Sequence, residues 1–166
     1  MGSVDFSKAA MPKKKAIDLV VACQQGLRDE FRAILDAYPD SPRWVEPVTG
    51  GDALRSLILY NRLDEEEAQL LLDRGANINH QDNGGVTALI HALECRNGAR
   101  FLPLLLAAGP DLSIVDNKGR SALGLARVLP HPSLPLLERY QAECAARQCV
   151  EGTSKPLQVR KPLSWK

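Results

Sequence analysis

Apolar residues along this chain come in short runs, and polar strips of similar length separate them. In the middle of the sequence one apolar run stops at Gly75, a polar strip with two adjacent glycines follows, and Thr87 opens the next run. Threonine is a good residue to cap the start of a helix. Leu89, Ala92 and Leu93 then have the i, i+3, i+4 spacing of one helix face. The pattern predicts two helices joined by a polar loop.

The same layout occurs again 34 residues later. Seven pairs of positions carry identical or similar residues at that separation. They are Leu72 and Leu106, Gly75 and Gly109, Asn77 and Asp111, Asp82 and Asp116, Thr87 and Ser121, Leu89 and Leu123, and Ala92 and Ala126. A constant period of this size is typical of a stacked repeat array, because each helix pair has a face that only a neighbouring pair can bury.

Two fainter copies precede the clear ones. Apolar positions predict one helix pair at 53–58 and 65–72, and an earlier pair at 19–23 and 31–35 that is separated by Gly26. Asp64 and the three glutamates after it form a typical helix start, since acidic groups are favourable there. Each of these stretches therefore predicts another helix-turn-helix unit.

The last unit begins at Asp116, and three prolines at 130, 132 and 135 delay its second helix. We expect that helix to run from about Leu134 to Ala146. The sequence as a whole predicts an all-α array of four helix-turn-helix units, at about 13–46, 47–80, 81–114 and 115–146. A flexible N-terminus at 1–12 and an extended C-terminal tail at 147–166 are expected to flank it.

Composition and charge narrow the possible partners. The chain of 166 residues has 21 Lys and Arg residues against 20 Asp and Glu residues. This balance gives nucleic acid and anionic membranes no electrostatic reason to bind. The apolar run from Ala16 to Cys23 is interrupted by Asp18, and it is too short for a secretion signal or a membrane span. We expect a cytoplasmic protein whose four cysteines stay reduced.

The central units resemble the ankyrin repeat, whose pattern is Asp-x-x-Gly-x-Thr-Pro-Leu-His-x-Ala, a Leu-Leu pair and Gly-Ala-Asp-Val-Asn. The matching residues are Asp82, Gly85, Thr87, Leu89, Ala92, Leu105, Leu106, Gly109 and Asp111, and in the unit before them Leu71, Leu72, Gly75, Ala76, Asn77, Ile78 and Asn79. The resemblance implies an ankyrin solenoid with atypical capping units at its ends. Ala88 and Ala122 stand where the family has proline, and His91 lies one place past the usual histidine. The linker at 38–51 lacks the aspartate pattern, so we expect an atypical finger there.

The resemblance also implies that the protein binds another protein through a concave surface of loop tips and first helices. The candidate partner-binding residues on that surface and in the tail are Trp44, Tyr60, Asn83, Val86, Glu94, Asn117, Lys118, Arg120, Arg127 and Trp165. Trp44 has a second interpretation, in which it packs the finger on a neighbouring helix. Lys118 and Arg120 either meet an acidic partner or lie in a solvated turn. Trp165 anchors on the array, anchors on the partner, or lies in a disordered tail.

Catalysis has little support in the sequence. His80, His91 and His131 fall in different units, and no phosphate-loop, Gly-x-Ser-x-Gly or His-Glu-x-x-His motif is present. Cys144 and Cys149 are five positions apart, which is a poor spacing for two metal ligands on one helix. We therefore expect no enzymatic activity, no metal site and no cofactor.

Two classes of function remain open at this point. The first is a non-catalytic protein-binding module, monomeric when free, that acts as an adaptor or a stoichiometric inhibitor. A compact single-domain protein with this pattern is similar to ankyrin proteins found in bacteria. There the inhibitory role includes that of an immunity protein, which neutralises a toxin. The second is a structural or regulatory subunit of a stable complex.

Overall fold

A computed structural model describes residues 13–95, 97–128 and 132–152. Within these ranges the chain forms eight α-helices and two short 3₁₀ helices. The α-helices are α1 (Lys13–Gln25), α2 (Arg28–Ala37), α3 (Ala53–Tyr60), α4 (Glu65–Asp73), α5 (Ala88–Glu94), α6 (Leu102–Ala107), α7 (Ala122–Val128) and α8 (Leu134–Gly152), and the 3₁₀ helices are Ser41–Arg43 and Gly98–Phe101. The predicted all-α fold class is confirmed. No helix in the described ranges combines the length and the apolar character needed to cross a bilayer.

The helices associate in consecutive pairs, each pair being one unit of the array. These pairs are α1 with α2, α3 with α4, α5 with α6 and its preceding 3₁₀ turn, and α7 with α8. The first helix of each pair also packs on the first helix of the next, in the order α1, α3, α5, α7. Phe31 and Phe101 are fully buried in an apolar cluster to which all four pairs contribute. Each unit therefore depends on its neighbours for burial.

Two predicted helix starts are confirmed. Asp64 and Glu67 form a reciprocal capping box at the start of α4, in which Glu67 Oε2 accepts a hydrogen bond from Asp64 N at 3.2 Å. Thr87 Oγ1 accepts a hydrogen bond from Ile90 N at 3.3 Å at the start of α5. The Glu67 side chain is fully buried and also lies 3.0 Å from Arg32 Nη2 of α2. This ion pair connects the second helices of the first two units.

The linker at 38–51 is an ordered finger with an unusual sequence. Val45 and Asp52 form an antiparallel bridge at its base. The carboxylate of Glu46 accepts hydrogen bonds from Val48 N at 2.8 Å and Thr49 N at 2.7 Å. Glutamate is one methylene longer than the aspartate of the repeat pattern, and it closes a loop that is one residue longer than the next finger. The finger is atypical, as expected. The hydrogen bonds to Glu46, which takes the place of the usual aspartate, hold its loop in shape.

Two helices differ from the sequence-based expectation. Helix α8 passes the expected end at Ala146 and continues to Gly152, because no proline or glycine interrupts the intervening residues. The second helix of the third unit begins as a 3₁₀ turn before α6, because Pro103 has no N–H to donate and is tolerated only in the first turn of an α-helix. The predicted tail begins at 147, so its first residues belong to α8. The rest of that tail at 153–166, with Trp165, and the predicted N-terminal segment at 1–12 lie outside the described residues.

Candidate interaction surface

Three loop tips lie side by side and form one continuous edge of the array, which we call the finger row: residues 46–51, 82–86 and 116–120. Asn83 joins the second finger to the first, since its main-chain N donates to Thr49 O at 3.0 Å and its Nδ2 to Val48 O at 2.9 Å. Asn117 joins the third finger to the second in the same way, through Gly84 O and Asn83 O, both at 3.0 Å. The finger row is therefore held as a unit and presents its tips in a fixed order.

An aspartate shapes each of the last two fingers. Asp82 Oδ1 accepts hydrogen bonds from two main-chain N–H groups of its own finger, both at 2.8 Å. Asp116 Oδ1 does the same with Lys118 N and Arg120 N, both at 2.9 Å. Burial acts to raise the pKa of Asp116, but these N–H groups and the Arg120 guanidinium outweigh it and lower the pKa. The carboxylate thus stays ionised and holds the turn.

A groove of about 400 Å³ opens beside the first finger, between α1 and α3. Its wall includes Val21, Gln24, Val48, Thr49, Leu59 and Tyr60. Three of these apolar side chains are well exposed: Val48 at 79%, Tyr60 at 45% and Leu59 at 37%. Exposed apolar residues gathered in one groove are typical of a contact surface. The groove places Tyr60 on the finger and first-helix face, as the sequence predicted.

The geometry of helix pairs and stacked fingers agrees with a family comparison. The family model described as "Ankyrin repeats (many copies)" matches residues 71–126, from α4 to α7. Residues 71–126 therefore carry ankyrin repeats. Ankyrin repeats are in general modules for protein–protein interaction that have no catalytic role. The predicted resemblance is thus confirmed.

A polar cluster that the sequence did not reveal links the second and third ankyrin units. Arg55 of α3 places its Nε 2.7 Å from His91 Nε2 of α5 and 2.9 Å from Asp82 Oδ2. His91 accepts this hydrogen bond, which requires a neutral ring with its proton on Nδ1. Burial and the positive charge of Arg55 lower the pKa of His91, against the opposing effects of Asp82 and Glu94. The histidine displaced from its usual ankyrin position therefore has a structural role here.

Two of the predicted partner-binding residues bind each other. Arg120 Nη1 lies 2.6 Å from Glu94 Oε1, and Arg120 Nη2 lies 2.6 Å from Asp116 Oδ2. This arrangement connects the last finger to the end of α5. Glu94 and Arg120 are thus partly exposed members of an internal ion-pair group, and Lys118 is the exposed cation at the same fingertip.

The structure corrects the surface interpretation of Trp44. Its side chain is only 5% exposed, and its ring centroid lies 5.4 Å from that of Tyr38. Trp44 therefore packs the first finger against the end of α2, as the second interpretation proposed, and it does not belong to the candidate surface.

The remaining candidate residues differ in exposure. Val86 is half-buried against the core. Arg127 is exposed, and its Nη2 lies 3.5 Å from Glu138 Oε1. Trp165 is outside the described residues.

No potential metal site of three or more His, Cys, Asp or Glu side chains occurs among the described residues. Cys23 is fully buried, and desolvation raises the pKa of its thiol, which makes it a packing residue and a poor nucleophile. His80 Nε2 lies 2.7 Å from Gly50 O and so supports the first finger. His131 falls outside the described residues.

Proposed function

We propose that this ankyrin array is a non-catalytic module that binds a protein partner through the finger row and the first helices of its units. The observation that carries the proposal is the groove between α1 and α3, where Val48, Leu59 and Tyr60 are exposed beside a hydrogen-bonded row of loops. A rigid edge loses little conformational freedom on binding. Tyrosine is among the residue types that supply most interface energy, and the burial of Val48 and Leu59 would add a hydrophobic contribution.

Such a face acts on its partner by covering part of the partner's surface. Our first form of the proposal is therefore a stoichiometric inhibitor, of which an immunity protein that neutralises a bacterial toxin is an example. The alternative form is an adaptor or a regulatory subunit that remains in a stable complex. In both forms the protein is proposed to bind neither nucleic acid nor membrane, because its 21 basic and 20 acidic residues nearly balance.

We further propose that the protein works in the cytoplasm and is monomeric when free. Cys23, Cys95 and Cys144 are free thiols in the described part of the chain, which agrees with a reducing compartment. The expected monomer follows from a groove small enough to remain exposed in solution without a second copy to cover it.

The experiment is affinity capture of a protein partner from native lysate on the tagged full chain, followed by titration of the purified partner. Leu59→Ser should weaken partner binding about tenfold or more, because Leu59 lines the groove. Leu27→Ser is a matched control. It is the same substitution at a leucine with the same 37% exposure, located at the start of α2 away from the finger row.

Retained binding in the Leu27 variant with loss in the Leu59 variant supports the proposed face. Loss in the Leu27 variant alone would locate the interface on the flank of the first unit and contradict the proposal. If the purified partner is an enzyme, its activity at one molar equivalent separates the two forms. An inhibitor abolishes the activity, whereas an adaptor leaves it intact.

A further inference from the structure

We infer that the partner presents to this face a segment with an apolar side chain at one end and carboxylates farther along. The apolar side chain enters the groove between α1 and α3, and the carboxylates lie at Lys118. The inference rests on the proposed function and adds the chemistry of the bound segment and the order in which its apolar and acidic side chains lie along the face.

The apolar groove of the surface lies in the first two units. Val115 and Val128 are also exposed farther along the array, but neither lines this groove. Val48, Leu59 and Tyr60 converge on one groove, which Val20 and Val21 also line, and its uncharged polar wall residues are Gln24, Thr49 and Ser56. Arg55 lines the groove as well, but its guanidinium is engaged by Asp82, with Nε 2.9 Å from Oδ2. Glu46 also borders the groove, but its carboxylate accepts hydrogen bonds from Val48 N, Thr49 N and Thr49 Oγ1. These donors lower the pKa of Glu46 and already satisfy most of its acceptor capacity. An apolar side chain is therefore the complementary occupant.

The finger row fixes the direction from this groove. The two residues at each tip change character in order, from Val48 and Thr49 in the first finger, through Asn83 and Gly84 in the second, to Asn117 and Lys118 in the third. The side chains of Asn83 and Asn117 hold these tips together through Val48 O and Asn83 O. A segment that follows the row consequently meets an apolar, then a neutral polar, then a cationic position.

Lys118 is the cation that is free to meet a partner at the far end. The two nearby carboxylates, Glu94 and Asp116, are both engaged by Arg120. Lys118 is exposed. Its main-chain N–H donates to Asp116 Oδ1, and its ammonium group forms no hydrogen bond or ion pair with the described residues. A carboxylate of the partner would therefore find an ammonium group that has no competing acid.

The spacing of the units sets the length of the segment. Packed helices lie about 8–10 Å apart, so two steps along the row span roughly 16–20 Å. An extended chain advances about 3.3 Å per residue, so the acidic residues should lie about five to six positions from the apolar residue, on one side of it.

The test is a selection from a random 12-residue peptide display library on the full chain, carried out in parallel on Lys118→Glu, Leu59→Ser and a control, Arg139→Glu. Arg139 is a 75% exposed cation on α8, away from the finger row. The native chain and the control should both select an apolar residue with Asp or Glu five to six positions away, always on the same side of it. Lys118→Glu should replace the acids by Lys or Arg at that same offset, and Leu59→Ser should lose the apolar preference.

A representative selected peptide should bind Lys118→Glu about fivefold to tenfold more weakly than the native chain, because an attraction becomes a repulsion at an exposed site. An unchanged consensus on Lys118→Glu, selection of acids without a fixed offset, or no enriched sequence would overturn the inference. The inference would also be overturned if the selected peptides lost binding to Leu27→Ser, before α2, and bound Leu59→Ser normally.

The proposed function can survive this failure. If the captured protein partner is lost with Leu59→Ser but binds Lys118→Glu as tightly as the native chain, the face is right and the acidic segment is wrong. Loss of neither interaction would contradict both.

Discussion

The Nδ2 of Asn117 donates to the main-chain oxygen of Asn83 at 3.0 Å, and Asn83 makes the same bond to Val48 one finger earlier at 2.9 Å. Both asparagines were candidate partner-binding residues because they occupy loop tips. Their side chains instead join neighbouring ankyrin units, so their first role is to hold the finger row together.

Replacing either asparagine should therefore destabilise the array in the absence of any partner. Asn83→Ala and Asn117→Ala should each lower the free energy of unfolding by about 0.5–1.5 kcal/mol, the usual net contribution of a hydrogen bond. Urea unfolding followed by circular dichroism measures this loss. Asn97→Ala is the control, since this exposed asparagine makes no capping bond with its side chain. Equal stability of all three variants would contradict the structural role.

Leu106 should be a major contact between the third and fourth units. Its side chain is only 6% exposed. Leu106→Ala should lower the free energy of unfolding by about 2–5 kcal/mol, as expected for truncation of a buried leucine. Leu72 is the equivalent residue one unit earlier and is only half-buried, so Leu72→Ala should cost clearly less. A loss below about 0.5 kcal/mol for Leu106→Ala would indicate a surface position and the wrong register.

Gly98 and Gly109 should resist substitution for different reasons. A Cβ at Gly98 would lie 2.7 Å from Ala92 Cα and closer still to Ala92 O, so Gly98→Ala should cost about 3 kcal/mol or more through backbone displacement. Gly109 has open space around it but a φ of +78°, so Gly109→Ala should cost about 1–2 kcal/mol.

Asparagine separates these two causes, because it tolerates the left-handed conformation better than alanine does. Gly109→Asn should recover most of the stability lost in Gly109→Ala, whereas Gly98→Asn should be worse than Gly98→Ala. Thermal unfolding of the four variants gives the comparison. Recovery at Gly98 would show that the position is not sterically closed.

The stability of the array should fall as the pH drops below about 6.5, the ordinary pKa of histidine. Because the folded protein lowers the pKa of His91, the unfolded chain binds a proton on this residue at a pH where the folded chain does not. Stability attributable to His91 is therefore present above that pH and is lost below it, by at most about 1.4 kcal/mol per pH unit.

His91→Gln removes this titration and keeps an acceptor for Arg55 Nε. The slope of unfolding free energy against pH between about 7 and 5.5 should be smaller in the variant than in the native protein. Urea titrations at several pH values measure both slopes. All other titrating residues contribute equally to the two slopes, so the difference between them reports on His91. Identical slopes would mean that His91 titrates normally in the folded protein.

The period of 34 residues and the apolar spacing were enough to predict the all-α fold, because these signals depend on local sequence. The helix starts at Asp64 and Thr87 were predictable for the same reason. The order of the first finger was not, since Glu46 replaces the aspartate of the repeat pattern and spans a longer loop.

The candidate surface was less predictable, because the exposure of a loop residue depends on residues more than thirty positions away. Arg55 meets His91 from 36 positions before it, and Asn117 meets Asn83 across 34 positions. For Trp44 the sequence left a surface and a packing interpretation open, and only the structure decided between them by placing its ring 5.4 Å from that of Tyr38. Tyr60 was located correctly, since its place near the end of a first helix follows from the repeat register alone.

Hydrogen–deuterium exchange of the full chain, free and bound to its captured partner, tests the central claim most directly. Binding through the proposed face should slow exchange in the finger row at 46–51, 82–86 and 116–120, and in α1 and α3 beside the groove. The amides of α4 and α6, which belong to the second helices, should keep their free rates. Slower exchange confined to α4, α6 and α8, with an unchanged finger row, would contradict the account.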